Sequence, residues 1–220
     1  MTPVNLIGTG RIGAAVAAWL RASDRYRLRA VITRGSAGWS AAPLTIDAAG
    51  PAALRAHGPA LLAQGELWTV GAAALIDDAF RAALERAAQG RALRLFTPWI
   101  AGPAILPAGT PATLHITQSA PRLGPAPGTL FDGPLAAAAR AFPDHLNTAT
   151  AAALTGPGID ATRITLVSTP DGGPHVIRAR FAMPGQAIET EARFDMTGPH
   201  PVAAAIIAAL EARGRWLRYG

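Results

Sequence analysis

The stretch Val4-Asn5-Leu6-Ile7-Gly8-Thr9-Gly10-Arg11-Ile12-Gly13 constrains the fold more than any other part of the chain. A short apolar run enters G-x-G-x-x-G, and Ala14-Ala15-Val16-Ala17-Ala18-Trp19-Leu20 continues in a helical pattern. The order is strand, glycine turn, helix, and each glycine has a physical task in it. Gly8 allows the tight turn, Gly10 lets the backbone approach a pyrophosphate, and Gly13 lets the helix lie close on the strand. Unpaired N–H groups and the positive dipole end of the helix then face the phosphates. Gly8, Gly10, Arg11, Ile12 and Gly13 are therefore candidate dinucleotide-binding residues. With 23 glycines in the chain the motif alone is weak, and the strand before it and the helix after it carry the argument.

The pattern then alternates. Residues 26–33 read as a second parallel strand, 44–50 as a short third, 67–70 as a fourth and 93–97 as a fifth. Between them lie a helix at 51–63, with proline in its first turn, and an amphipathic helix at 77–89 closed by Gly90. This predicts an α/β fold, a Rossmann-type doubly wound parallel sheet with ligands at the carboxyl ends of its strands. The second strand ends Ile32-Thr33-Arg34-Gly35-Ser36, without the carboxylate that holds ribose hydroxyls in NAD-binding units. Thr33 and Arg34 offer a hydroxyl and a planar guanidinium fork suited to a 2′-phosphate. NADP is expected ahead of NAD; a solvated loop arginine is the alternative. Ala49, in the small-residue end of the third strand where a cofactor would pass, and Gly71, after the fourth, join the cofactor-binding candidates.

The character changes at 101–133, which is rich in Pro and Gly with one strand-like piece at 112–118. Helical patterns follow at 135–142 and 146–154, then strand runs at 163–169, 175–183 and 187–196. They predict a smaller α+β domain with a mostly antiparallel sheet of hairpins, the last two strands joined at Pro184-Gly185. Expected boundaries are 1–105 for the dinucleotide-binding domain and 106–198 for a catalytic and oligomerisation domain. A closing apolar helix within 199–220 packs back on the first domain.

Composition narrows the partners. The 220 residues are 50 % hydrophobic and 15 % charged, as in a compact core-forming protein. Cysteine and lysine are absent, which excludes disulfides, a thiolate nucleophile and a Schiff-base lysine. The net charge of +6 rests on scattered arginines with no dense run, so an anionic small molecule is expected and nucleic acid is not. No apolar run is long enough for a bilayer and no signal peptide is read, so a cytoplasmic protein without a membrane partner is expected. Histidines and carboxylates show no metal-ligand spacing, and no metal is expected.

The second half resembles a known family. Phe142-Pro143-Asp144-His145-Leu146-Asn147-Thr148-Ala149-Thr150-Ala151-Ala152-Ala153-Leu154, followed by Gly158-Ile159-Asp160-Ala161-Thr162-Arg163-Ile164, is similar to F-P-x-N-x-N-x-A-A-T-L-A-L-A-G-x-G-x-D-x-T-R-V of the L-aspartate dehydrogenases. Ile46-Asp47-Ala48-Ala49-Gly50 is similar to that family's V-E-A-A-G, and Thr69-Val70-Gly71-Ala72 to its S-V-G-A. Gly173-Pro174-His175-Val176-Ile177 is similar to N-x-H-E-I, which carries the catalytic histidine. The resemblance implies that His175 is catalytic, activating water for attack on an imine or protonating it in reverse. It further implies that Asn147 contacts the cofactor and that Ala101 lines the nicotinamide. Read from the residues alone, His175 is a strand-edge structural histidine, while Asn147 also reads as a helix N-cap and Ala101 as a loop alanine.

Several positions depart from the family pattern. About 20 residues are missing between Arg34 and Leu44, by the usual size of such units. A similar gap follows Ser119. The family's S-G-A-I-G-G-L-D becomes Trp99-Ile100-Ala101-Gly102-Pro103-Ala104-Ile105-Leu106. Its first asparagine is His145, and its N-P-K-T-S becomes Gly198-Pro199-His200-Pro201-Val202. His145 and His200 are therefore candidates for a modified substrate pocket. His57 reads as a surface residue of a helix, His115 as a sheet residue, and Arg178, Arg180 and Arg193 as the solvated face of a sheet. The resulting expectation is an NAD(P)-dependent dehydrogenase interconverting aspartate or a related amine with its imine or oxo acid. A nucleotide-binding sensor or scaffold without turnover is the alternative, as is a reductase for a different imine or carbonyl. A homodimer or higher homo-oligomer is expected, with Trp216 and Tyr219 available to pack on a partner.

Overall fold

The computed structural model describes residues 1–36, 38–96, 111–195 and 197–213. The chain divides into two compact units, Met1–Phe96 with Pro199–Gly220, and Thr97–Gly198.

In the first unit, β1 (Thr2–Ile7) leads into α1 (Arg11–Ala22), followed by β2 (Tyr26–Ile32), β3 (Leu44–Asp47) and α2 (Pro51–Leu62). Next come β4 (Glu66–Thr69), a 3-10 turn (Ala72–Ile76), α3 (Asp78–Ala88) and β5 (Leu93–Leu95). The five strands form one parallel sheet in the order β2-β1-β3-β4-β5. Alternation along β1 explains the layering. Val4 and Leu6 point into a core with Val16, Ala17 and Leu20 of α1 and with Leu44, Ile46 and Trp68. The chain returns to this unit as α6 (Pro201–Ala212), whose Ala203, Ile206 and Leu210 complete the same core. Tyr26 at the start of β2 donates its hydroxyl to the Leu210 carbonyl at 2.8 Å, and Arg25 reaches the Glu211 carbonyl.

β2 and β3 flank β1 on opposite sides, so the chain between them must cross the sheet. Parallel neighbours usually need a helical crossover for this. Here the described residues of 33–43 form neither helix nor strand. The crossover is pinned from beneath by Asn5 of β1, whose buried side chain donates to the Ser40 carbonyl at 2.8 Å. Trp39 of the same segment meets the His57 ring of α2 edge-on, centroids 5.0 Å apart.

The second unit contains β6 (Thr113–Pro121), β7 (Gly128–Pro134), α4 (Leu135–Ala141), α5 (Asn147–Leu154), β8 (Thr162–Thr169), β9 (His175–Met183) and β10 (Gln186–Phe194). Its sheet runs β10-β9-β6-β8-β7. Only β9 and β10 form the expected sequential hairpin, turning at Pro184-Gly185 with Gly185 at φ 76°. The expected hairpin between β8 and β9 is corrected: β8 pairs parallel with β6 and antiparallel with β7, while β9 lies on the other side of β6. The excursion through β7, α4 and α5 brings the chain back in the direction of β6, which makes the parallel pairing possible. β7 itself falls inside the stretch read as irregular. Along β6, Leu114, Ile116, Gln118 and Ala120 are buried, while His115 is exposed and its Nε2 lies 2.9 Å from Thr165 Oγ1. Arg178 and Arg180 are exposed and paired with Glu191 and Glu189, as a solvated sheet face requires. Among the described residues, no helix is long and apolar enough to cross a membrane.

Candidate functional site: a glycine-walled cleft

The three glycines of the first turn differ in what surrounds them. Gly8 has φ +91°, and a β-carbon there would stand 3.0 Å from the Ala49 β-carbon, so conformation and contact both demand glycine. A β-carbon on Gly13 would sit 2.2 Å from the Gly8 carbonyl oxygen, which is how closely α1 lies on the turn. Gly10 is the opposite case. Its φ of −66° suits any residue, and no atom lies within 4 Å of where a side chain would begin. It occupies the N-cap of α1 with no side-chain cap. The space in front of the first helical N–H groups is thus open, and glycine keeps it so.

Above this turn lies a cleft of about 620 Å³ at the carboxyl ends of β1, β2 and β3. Ile7, Gly8, Thr9 and Gly10 form one wall, Ile32, Thr33 and Arg34 a second, and Ala48 and Ala49 lead into a third made by Ala52, Ala53, Ala56 and His57 of α2. The size suits a small-molecule site. Thr33 and Arg34 are exposed in a turn held by its own bonds: the Thr33 amide donates to Ser36 Oγ at 2.9 Å and the Ser36 amide to the Thr33 carbonyl at 3.0 Å.

Beneath the cleft, Asp47 joins two strand ends. The residue is 1 % exposed. Oδ1 accepts from the amides of Ala49 and Gly50, and Oδ2 accepts from Thr69 Oγ1 at 2.7 Å. Thr69 Oγ1 in turn accepts from the Gly71 amide at 2.8 Å. A β-carbon on Gly71 would stand 2.7 Å from the Gly50 carbonyl carbon, so Gly71 is buried against that turn rather than lining the cleft. Burial pushes the Asp47 carboxyl above the usual carboxylate range, opposed by Thr69, by the two amides and by nearby His57. The sequence marked Asp47 only as a match in Ile46-Asp47-Ala48-Ala49-Gly50; its hydrogen-bond partner lies 22 residues away and carries no local signal.

The remaining candidates divide between the units. Arg11 and Ile12 open α1, and Arg11 acts electrostatically on His200, the N-cap of α6. His200 Nδ1 accepts from the Val202 amide at 3.2 Å. Burial and Arg11 together hold the His200 imidazolium below its ordinary pKa. His57, read as a surface residue, is half-buried at the cleft.

In the second unit, Asn147 is the first residue of α5; Leu146 holds the N-cap without a side-chain bond, so Asn147 is not the cap. His145 is half-buried in the preceding turn. His175 opens β9 opposite Phe194 in the β10 register, with the two ring centroids 4.6 Å apart. Ala101, Trp216 and Tyr219 lie outside the described residues. Among the described residues, no three His, Cys, Asp or Glu side chains gather as a metal site.

Comparison with known proteins joins these features. The family model described as "Aspartate dehydrogenase, C-terminal" matches residues 109–213. The L-aspartate dehydrogenase of Ruegeria pomeroyi is 31 % identical over 261 residues, an alignment covering 98 % of this chain and 94 % of that one. L-aspartate dehydrogenase 2 of Bordetella pertussis is 34 % identical over 169 residues, covering 66 % of this chain and 63 % of that one. The crystal structure of aspartate dehydrogenase from Thermotoga maritima superposes with a TM-score of 0.79 at 17 % identity, covering both chains completely. A hyperthermophilic archaeal homoserine dehydrogenase in complex with NADPH gives 0.57 at 9 % identity, covering 96 % of each chain. The two structural likenesses establish a shared fold. The sequence match, at 31 % identity through nearly the whole chain, gives the family: this chain belongs to the L-aspartate dehydrogenases, a family of amino-acid dehydrogenases.

Proposed function

We propose that the protein is an NADP-preferring dehydrogenase that interconverts aspartate, or a closely related amino acid, with its imine and oxo acid. The observation that carries this reading is the open approach to Gly10 at the N-terminus of α1, facing a cleft that ends at Thr33 and Arg34. The residues present fit a dinucleotide. Amides at the start of α1 bind the pyrophosphate. Thr33 and the Arg34 guanidinium bind the 2′-phosphate, and no carboxylate at the end of β2 repels it. Ala49, with its small side chain, keeps the passage along the strand ends narrow but open.

The nicotinamide supplies the hydride acceptor or donor when bound. The protein contributes orientation and proton management. Asn147, at the start of α5, holds the cofactor's nicotinamide end. The His175 imidazole takes a proton from the water that attacks the imine and returns it in the reductive direction; its ring is oriented by packing on Phe194. His145 and His200 stand where relatives carry other polar groups, which is why a related amino acid remains within the proposal. The enzyme works in the cytoplasm as a homo-oligomer.

The test is a spectrophotometric assay of NADPH oxidation with oxaloacetate and ammonium, and of NADP reduction with L-aspartate. Wild type turns over, while His175→Ala binds NADPH normally and loses at least ~100-fold in kcat, the usual contribution of a positioned acid–base group. NADPH binding without turnover on any amino acid or oxo acid would refute the enzyme reading.

A further inference from the structure

Four polar side chains are buried among the described residues of the second unit: Gln118, Thr150, Thr162 and Ser168. Thr162 Oγ1 donates to the Gly158 carbonyl at 2.7 Å, and Ser168 Oγ accepts from the Gly124 amide at 3.3 Å. The Thr150 hydroxyl, inside α5, has no partner among the described residues. Gln118 is 5 % exposed, and its carboxamide makes no hydrogen bond among the described residues. A carboxamide taken out of water with neither its donor nor its acceptor matched costs stability, and an apolar side chain of the same size would serve the core better. Gln118 therefore calls for a partner from outside the described chain. Its position says where that partner lies. Along β6, Leu114, Ile116, Gln118 and Ala120 share the buried face. Gln118 pairs with Ile177 of β9, and His175 stands two residues before Ile177 on the same face. Such diagonal neighbours have β-carbons about 7–8 Å apart, within reach of long side chains. Ser119 pairs with Val176, so the β6 residue that follows beside His175 is the small Ala120. The arginines of the sheet lie on its other face, where Arg163 pairs with Asp132, Arg178 with Glu191 and Arg180 with Glu189. Beside His175, β6 thus offers hydrogen bonds rather than charge.

We propose that Gln118 is a specificity-determining residue: its carboxamide hydrogen-bonds the oxygen-bearing end of the amino acid's side chain while the reacting carbon faces His175. The inference rests on the dehydrogenase reading and narrows its substrate class. A carboxamide offers an N–H donor to a carboxylate, and both a donor and an acceptor to another amide. It is matched by a short side chain ending in a carboxylate or a carboxamide, and not by one ending in a methyl group. A buried polar group of this kind rejects analogues that leave it unpaired.

The experiment is calorimetric titration of L-aspartate, L-asparagine and L-alanine into protein saturated with NADPH, where the reduced cofactor leaves the amine no hydride acceptor. Wild type, Gln118→Met and Gln118→Glu are compared, with NADPH affinity and thermal melts recorded for each. Gln118→Met keeps the length and removes the polar group. It is expected to weaken L-aspartate roughly 10- to 100-fold and L-asparagine about 3- to 10-fold, the worth of a charged and a neutral hydrogen bond. L-alanine, without the polar end, binds wild type more weakly than the other two and binds the variants as it binds wild type. Gln118→Glu keeps an acceptor and repels a carboxylate, so it loses L-aspartate more than L-asparagine. NADPH affinity is the same in all three proteins, and Gln118→Met melts no lower than wild type, because it removes an unmatched buried amide. Wild-type affinity of Gln118→Met for L-aspartate would overturn the assignment. An equal loss of L-alanine, or a lowered melting temperature of Gln118→Met, would overturn it as well, by making Gln118 a structural residue. Wild type that binds NADPH but none of the three amino acids would overturn the dehydrogenase reading beneath it.

Discussion

Gly10 and Gly13 belong to one motif, yet replacing each by alanine should do opposite things. At Gly13 the new β-carbon would meet the Gly8 carbonyl oxygen at 2.2 Å and its carbon at 2.8 Å, both backbone atoms. Real contacts of this kind do not fall below 3.0 Å, so α1 must retreat by close to an ångström. Such overpacking costs roughly 1–3 kcal/mol, offset by about 0.5–1 kcal/mol from replacing glycine within a helix. A net loss of about 1–2 kcal/mol is expected, and nucleotide affinity falls because the turn itself has shifted. At Gly10 nothing lies within 4 Å and φ is ordinary. Alanine is a poorer N-cap than glycine but restricts the unfolded chain, and these effects cancel to within ~0.5 kcal/mol. The methyl group instead occupies the approach of the pyrophosphate, and NADPH affinity should fall at least ~10-fold, or about 1.4 kcal/mol. Guanidinium denaturation and NADPH fluorescence titration on both variants separate the two roles. Wild-type NADPH affinity in Gly10→Ala would refute the assignment of this turn to the pyrophosphate.

Three further expectations follow from single groups. Because the folded-state pKa of Asp47 is raised, folding stability should decline as pH rises from about 4, its ordinary value, through the raised one. Asp47→Asn should remove that slope in pH-dependent denaturation, and an unaltered slope would contradict the burial argument. His200 is shifted the other way: its cap needs an unprotonated Nδ1, so α6 should lose about 1 kcal/mol as pH falls below ~6.5, through the lowered pKa. His200→Asn, which also caps, should hold stability flat across that window. Arg34→Ala should weaken NADPH by roughly 10- to 100-fold, the worth of a charge-assisted hydrogen bond, and leave NADH nearly unchanged; equal losses for both cofactors would contradict the 2′-phosphate role.

How much of this was legible in the sequence depended on whether the signal was local. The parallel half announced itself through short apolar runs, each followed by small residues or a helix. The β9–β10 hairpin was legible because Ile188, Thr190, Ala192 and Phe194 alternate with charged residues around a Pro-Gly turn. β7 is not legible because it is an edge strand: most of Gly128–Pro134 is exposed or half-buried, so no alternation marks it. The partner of β8 is not legible, because the pairing with β6 is set by an excursion of some 40 residues, not by anything within either strand. That Gly8, Gly10, Thr33 and Arg34 line one cleft is legible, because the glycines follow β1 directly and Arg34 follows β2 directly. The Asp47–Thr69–Gly71 chain and the Trp39–His57 contact were not, since each joins residues whose spacing means nothing until the sheet brings the strand ends together.

The decisive measurement is binding of the dinucleotide by the purified protein, followed by nucleotide fluorescence with NADPH and NADH. The expected result is saturable binding of one nucleotide per chain, tighter for NADPH than for NADH. Tighter NADH binding would remove Arg34 from the site while leaving the fold's role intact. Binding of neither nucleotide would mean that this chain has no working dinucleotide cleft.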